Sequence, residues 1–335
     1  MNQLNNAFTL FLSLLVEAMP FLLLGVTFSS VLLLFVDERK LVAAMPRNPL
    51  GGALAGSLVG FLFPVCECGN VPVARRLMTQ GAPASVAIGF LLAAPTINPI
   101  VIWATWTAFR DQPEIVVLRV VLSLLVATII GWVFSAQPDM RPLLQPAVTR
   151  LMPKPKSVDD ETPALLQSGT FLMQAGGERL QLDAPAAMDL VSDDIRTKPW
   201  TAKLGLMLEN MVQEFRELGA ILVIGSAIAA TVQVAIPREI VLSLGQGPVT
   251  SIIAMMVLAW VVSICSTVDA FFALSFASTF TGGALLACLV FGPMIDLKNI
   301  SLLLTVFRTR AIFYLFALAA QLTFVLTLLV NFYLG

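Results

Sequence analysis

Cys66 and Cys68 flank Glu67 and run into Gly69-Asn70, inside one of the most apolar stretches of the chain. Pro64 just before them and Gly69 within them interrupt regular helix. Thiols and a carboxylate therefore sit where the backbone is broken. Polar groups at membrane depth are costly and mark pathways or binding sites. Thiolates prefer soft metals and metalloids to hard cations. Two thiols at i and i+2 can chelate one atom only in a non-helical stretch. The chemistry on offer is ligation of a soft, thiophilic solute, with Cys66, Cys68 and a third thiol, Cys265, as candidate soft-ion ligands.

The elements that must position these groups are membrane helices. The chain has 335 residues, of which 58% are hydrophobic and only 12% charged, against about a quarter charged in globular proteins. The net charge of −1 offers no basic surface for nucleic acid, and the absence of His removes the commonest proton shuttle. All four cysteines lie in apolar segments, which argues against a secreted disulfide framework. Met1 to Asn6 carries no positive charge, so the first apolar stretch reads as a retained helix rather than a cleaved signal.

Eight apolar stretches read as spans: Phe8 to Val36, Gly51 to Met78, Ala84 to Phe109, Val116 to Phe134 (entered through Arg119), Leu206 to Ile236, Val249 to Phe280, Ala284 to Phe307 and Ala311 to Tyr333. Between the fourth and fifth, Asp139 to Lys203 holds 17 of the 41 charged residues (20 basic plus 21 acidic). It reads as a soluble, partly disordered linker, with a small hairpin over Thr170 to Leu182 around Gly176-Gly177. The organisation is thus 1–138, a first transmembrane repeat; 139–203, the linker; 204–335, a second transmembrane repeat. Arg141, Arg150, Lys154, Lys156, Lys198 and Lys203 place the linker in the cytoplasm, while Arg39, Lys40 and Arg47 favour the opposite side.

The halves resemble each other at an offset of about 200. Glu17 and Gly25 match Glu217 and Gly225; Cys66 matches Cys265; Asn70 falls on Asp269. Ala94-Pro95-Thr96-Ile97-Asn98 matches Gly292-Pro293-Met294-Ile295-Asp296 with one residue of slip. Interrupted hydrophobic segments at corresponding positions of two halves point to a transporter's binding site. The expected fold is an all-α polytopic membrane protein of about eight transmembrane helices in two repeats of four, with broken helices at the centre. Whether the halves run parallel or inverted is left open by the sequence.

The candidate solute-binding residues at the breaks are Cys66, Glu67, Cys68, Gly69, Asn70, Pro95, Asn98, Cys265 and Ser266. A carboxyl buried in an apolar site can hold a proton near neutral pH, so Asp269 and Asp296 are the candidates for proton or ion coupling. Simpler roles stand beside these. A free Cys behaves as a small buried hydrophobe, the reading preferred for Cys288. Asn98 can satisfy broken backbone. Asp296 can be a helix N-cap before Leu297-Lys298-Asn299, with Lys298 at the membrane surface. Arg75 and Arg76 read as interface anchors, and Trp103 with Trp106 as an aromatic belt.

The motif Pro64-Val65-Cys66-Glu67-Cys68-Gly69-Asn70-Val71-Pro72 resembles the Cys-x-Cys signature of the bacterial predicted-permease family, which includes exporters of trivalent organoarsenicals such as methylarsenite. Phe90 to Pro99, Ile264 to Phe271 and Phe291 to Asn299 are similar to its other motifs. Glu67 stands where the family usually has a small polar residue. Asn98-Pro99 resembles a branch whose substrates are unassigned. The resemblance implies a multi-pass permease of a bacterial-type plasma membrane, exporting a thiophilic solute such as a trivalent arsenical. Its partners would be the lipid bilayer, a small solute and a homo-oligomeric copy, with no cofactor and no enzymatic activity. Two alternatives are a permease for a soft metal or sulfur compound and a membrane thiol oxidoreductase cycling Cys66 and Cys68.

Overall fold

A computed structural model describes residues 2–35, 45–46, 48–63, 65–137, 140–152, 171–173, 179–181, 200–235 and 247–333. Pro64, Arg39, Lys40, Arg47, Lys154, Lys156 and Lys198 lie outside the described residues, as does most of the linker. Among the described residues the protein is all-α apart from one short hairpin.

The first half comprises α1 (Asn2–Phe35), α2 (Pro49–Leu62), α3 (Glu67–Thr79), α4 (Ala84–Ile97), α5 (Pro99–Ala108) and α6 (Pro113–Ser135). A 3-10 turn (Arg141–Leu143) and α7 (Pro146–Leu151) open the linker. Within it β1 (Phe171–Met173) pairs antiparallel with β2 (Arg179–Gln181), Phe171 opposite Gln181, so the expected hairpin is present. The second half comprises α8 (Trp200–Ala235), α9 (Pro248–Val262), α10 (Asp269–Leu274), α11 (Gly282–Met294), α12 (Leu297–Leu303) and α13 (Thr309–Tyr333). Prolines begin α2, α5, α6 and α9; a first-turn Pro loses only an N–H that has no helical partner.

The eight apolar stretches resolve into two kinds. Among the described residues six helical segments are long and apolar enough to cross a bilayer: α1, α4 with α5, α6, α8, α11 with α12, and α13. The other two stretches begin with short apolar helices, α2 of 14 residues and α9 of 15. Helices of that length reach ~21–23 Å, short of the ~30 Å hydrocarbon core. Each then breaks and continues in a second short helix.

Close packing fixes their directions. Gly52 and Gly60 of α2 lie against Ser85 and Ala94 of α4, at 2.8 Å from where a Cβ would stand. Low numbers meet low and high meet high, so α2 and α4 run parallel. The intervening α3 leads back from the break to the start of α4, and Asn70 near its beginning donates to the Leu91 carbonyl late in α4. The second half repeats the arrangement. Ser251 of α9 lies 3.5 Å from Thr281 at the start of α11, and Gly292 late in α11 packs on Ala259 late in α9. In each half a bent pair of short helices lies beside the long ones.

The α1 and α8 helices pack together and run antiparallel. Leu14 clusters with Ala229 and Ala230, whereas Ser29 donates to Glu214 at 3.3 Å and Asn210 to Ser30 at 3.1 Å. Both lean on one part of the remaining bundle, α1 on α3 and α8 on α12. By contrast α5 and α10 expose Trp103 at 74% and Phe271 at 47%.

The α1–α3 contact tests this packing. A Cβ on Gly25 would overlap the backbone of Gly69. Gly25→Val is expected to cost about 1–3 kcal/mol through overpacking. It would appear as a lower Tm in detergent relative to Gly205→Ala, a position with nothing within 4 Å.

Candidate functional site

Four interruptions converge on the centre. At the first, Cys66 is the N-cap of α3; its carbonyl accepts from the Gly69 and Asn70 amides at 3.1 and 3.2 Å. Glu67 stands in the first turn, where the helix dipole favours an anion. At the second, Pro95 inside α4 has no N–H to give the Leu91 carbonyl four residues back. Asn70 fills that place, its Nδ2 donating to Leu91 O at 2.5 Å. Asn98 then stitches the breaks together. Its Nδ2 donates to the carbonyls of Val65 and Ala94, both at 3.2 Å, and its Oδ1 accepts from Val101 N at 2.9 Å, capping α5.

At the third break Ser263 ends α9 in the left-handed region at φ 49°, a conformation that costs a non-glycine residue ~1–2 kcal/mol. The Cys265 carbonyl accepts from the amides of Val268 and Asp269 at 2.9 and 3.1 Å. At the fourth, Asp296 caps α12 by accepting from the Asn299 amide, and Asn299 Nδ2 donates to Met294 O at 3.4 Å. The capping roles weighed for Asn98 and Asp296 are therefore the ones their side chains play.

The three thiols come together. Cys66 interacts with both Cys68 and Cys265, and all three are buried. The sulfurs of Cys66 and Cys68 and a carboxylate oxygen of Glu67 lie within 4.8 Å of one another, a set able to hold a soft metal or metalloid. Cys288 lies buried in α11, in keeping with a packing role.

Two buried ion pairs frame the thiols. Lys298 Nζ lies 3.1 Å from Glu67 Oε1, both side chains only 1% exposed. The expectation of Lys298 at the membrane surface is thus corrected. An ammonium can be buried when a carboxylate compensates its lost hydration, and Glu67 is that carboxylate. Asp296 and Glu17 also interact electrostatically with Lys298, so three carboxylates share one ammonium. In the second pair Arg119 holds Asp269 with two bonds, at 2.6 and 3.0 Å, while donating to Thr105 Oγ1 at 2.8 Å. Arg119 is not a residue at a helix entrance but the bulkiest fully buried side chain among the described residues. A bidentate guanidinium–carboxylate pair suits such a place. Each pair takes one member from each half of the chain. Arg75, read as an interface anchor, pairs with Glu217 of α8 at 3.1 Å.

Several buried oxygens at the breaks are left without a hydrogen-bond donor: Glu67 Oε1 and Oε2, Asn70 Oδ1, Ser266 Oγ, Asp296 Oδ2 and Asn299 Oδ1. Lys298 approaches Glu67 off the hydrogen-bonding direction, so an ion pair and open acceptors coexist there. Buried acceptors are normally satisfied. Their concentration beside the thiols suits a site that receives a further group.

Comparison with known proteins agrees with this architecture. The family model described as "Predicted permease" matches residues 3–332. UPF0718 protein YcgR of Bacillus subtilis is 38% identical over 313 residues, covering 93% of this chain and 92% of the relative. A Streptococcus mutans protein, whose name proposes it as a two-component membrane permease complex subunit, is 32% identical over 303 residues, covering 90% and 87%. No solved structure matches the chain. The chain belongs to the predicted-permease family and is a multi-pass membrane protein.

Removing one partner of a buried pair strands the other. Arg119→Met is expected to destabilise by about 3–5 kcal/mol. Arg119→Met combined with Asp269→Leu should recover most of that loss. Thermal unfolding in detergent checks both, and equal Tm values for wild type and Arg119→Met would refute the account.

Proposed function

We propose that this permease is a secondary transporter of a bacterial plasma membrane, carrying a small thiophilic solute. A trivalent arsenical or a soft metal ion is the substrate class, with export as the direction. The observation that carries the reading is the buried set of Cys66, Glu67 and Cys68, whose ligand atoms lie within 4.8 Å of one another, with Cys265 of the other half interacting with Cys66. Two of these thiols come from one half of the chain and one from the other. Glu67, Asn70 and Ser266 would contribute oxygens beside the sulfurs. Gly69, Pro95 and Asn98 would shape the broken backbone around them.

The two halves are read as an ancient duplication, in which α1 to α6 correspond in order to α8 to α13. Coupling to a proton or ion is assigned to Asp296, which shares Lys298 with Glu67. Asp269 is the weaker of the two candidates, because both its oxygens are engaged by Arg119. The relative named as a complex subunit supports a second membrane protein as partner, alongside a further copy of this chain. The thiol oxidoreductase alternative needs an accessible thiol for its redox partner, and Cys66, Cys68 and Cys265 are at most 1% exposed.

Direct binding to the detergent-solubilised protein tests the site. Cadmium or phenylarsine oxide retained after desalting, measured by elemental analysis, should fall several-fold in Cys66→Ser, Cys68→Ser and Cys265→Ser and be unchanged in Cys288→Ser. Equal retention by wild type and all four variants would sink the thiophilic reading.

A further inference from the structure

We infer that the two halves are inverted repeats, in which the hairpins α2–α3 and α9–α10 dip into the membrane from opposite faces and meet tip to tip at Cys66 and Cys265. The functional use of that meeting point rests on the permease reading above; the geometry does not. Each half then holds three full crossings and one re-entrant hairpin. An odd number of crossings delivers the second half to the membrane upside down relative to the first, as in inverted-repeat transporters.

Four sets of contacts support this. First, α2 and α4 run parallel, as do α9 and α11, so the short helix between them must return to the face it came from. Second, the corresponding helices α1 and α8 run antiparallel, which two parallel repeats could not give. Their contacts are also exchangeable. Moving one residue forward by about 200 and its partner back by the same amount turns Ser29–Glu214 into Ala229–Leu14, and Ser30–Asn210 into Ala230–Leu10. Third, contacts between the halves come as swapped twins, α3 on α12 and α5 on α10. Fourth, chain ends that eight full crossings would put on opposite faces are bonded to each other. Gln145 N donates to Val306 O at 2.9 Å and Arg308 N to Leu143 O at 2.8 Å, joining the segment after α6 to the one before α13. Asn331 near the end of α13 donates to Pro248 at the start of α9 at 3.3 Å.

Cys66 and Cys265 are the corresponding residues of the two halves, and their side chains interact. Residues related by a two-fold axis come together only near that axis. The thiol site therefore lies on it, with one hairpin between it and each face. A solute held across both tips is released toward one face when that hairpin withdraws and toward the other when its twin does. Irregular backbone at this depth is acceptable because it is enclosed in protein.

Topology decides the matter without any solute, so its outcome is separate from that of the thiophilic reading. Asp111→Cys, Met152→Cys and Tyr333→Cys would each be introduced into the full-length chain, whose four native thiols are buried. They would be probed with a membrane-impermeant maleimide in intact and opened cells. Inverted repeats require positions 111 and 333 to label from one face and 152 from the other. Eight full crossings put 152 and 333 on one face and 111 on the opposite one. That pattern, or any other departure from the first, overturns the inference. Should a cysteine variant express poorly, an epitope inserted after the same residue and detected by antibody on intact and opened cells gives the same readout.

Discussion

A charge cannot be left alone where water and high dielectric are absent. This constraint organises the centre of the molecule. Lys298 and Arg119 are buried in a structure surrounded by apolar helices, and each has a carboxylate at ion-pair distance. Both pairs cross between the halves, Glu67 to Lys298 and Arg119 to Asp269. The halves are therefore held together by interactions that neither could satisfy alone. The pairs differ in quality. Arg119 saturates Asp269 with two aligned bonds, whereas Lys298 is shared among Glu67, Asp296 and Glu17 and leaves acceptors open. The first is suited to holding a structure, the second to exchanging partners.

The same logic of satisfaction explains the breaks. Proline in α4 frees a carbonyl, and a side-chain amide from another helix takes it. Asn98 closes three more backbone groups across two breaks. Broken helices survive at depth because neighbouring side chains complete what the backbone lost. In the second half the corresponding residues are acids. Asp296 can still accept from an amide and cap its helix, but Asp269 cannot donate to a carbonyl. It turns instead to a guanidinium. The exchange of Asn for Asp between halves is thus read directly as an exchange of hydrogen-bonding partners for charge.

Much of this was legible in the sequence. Hydrophobic runs, Pro and Gly placed the breaks at Cys66, Asn98, Cys265 and Asp296, and the local offset between halves picked out Cys66 and Cys265 as counterparts. What escaped was long-range pairing. Arg119 read as a residue at a helix entrance because it sits early in an apolar run, and Lys298 read as surface because it follows a cap. Nothing local distinguishes a cation that snorkels to the interface from one whose counter-charge arrives from the far half of the chain. The directions of the short helices escaped for a related reason. Hydropathy measures how apolar a stretch is, not whether it turns back. A run of 28 residues such as Gly51 to Met78 is long enough to span until the directions of α2 and α3 are known.

The antiparallel pair α1–α8 leans on α3 and α12 and leaves α5 and α10 uncovered. On an inverted repeat, α3 and α12 are the counterparts of α10 and α5. The pair therefore has two equivalent seats and occupies one. On that symmetry, tilting it like a see-saw would exchange contacts with α3 and α12 for contacts with α10 and α5. The preference for either seat then falls to the few polar links that do not have twins, such as Arg75 with Glu217. Lopsided packing in a symmetric frame is a lever at rest on one side.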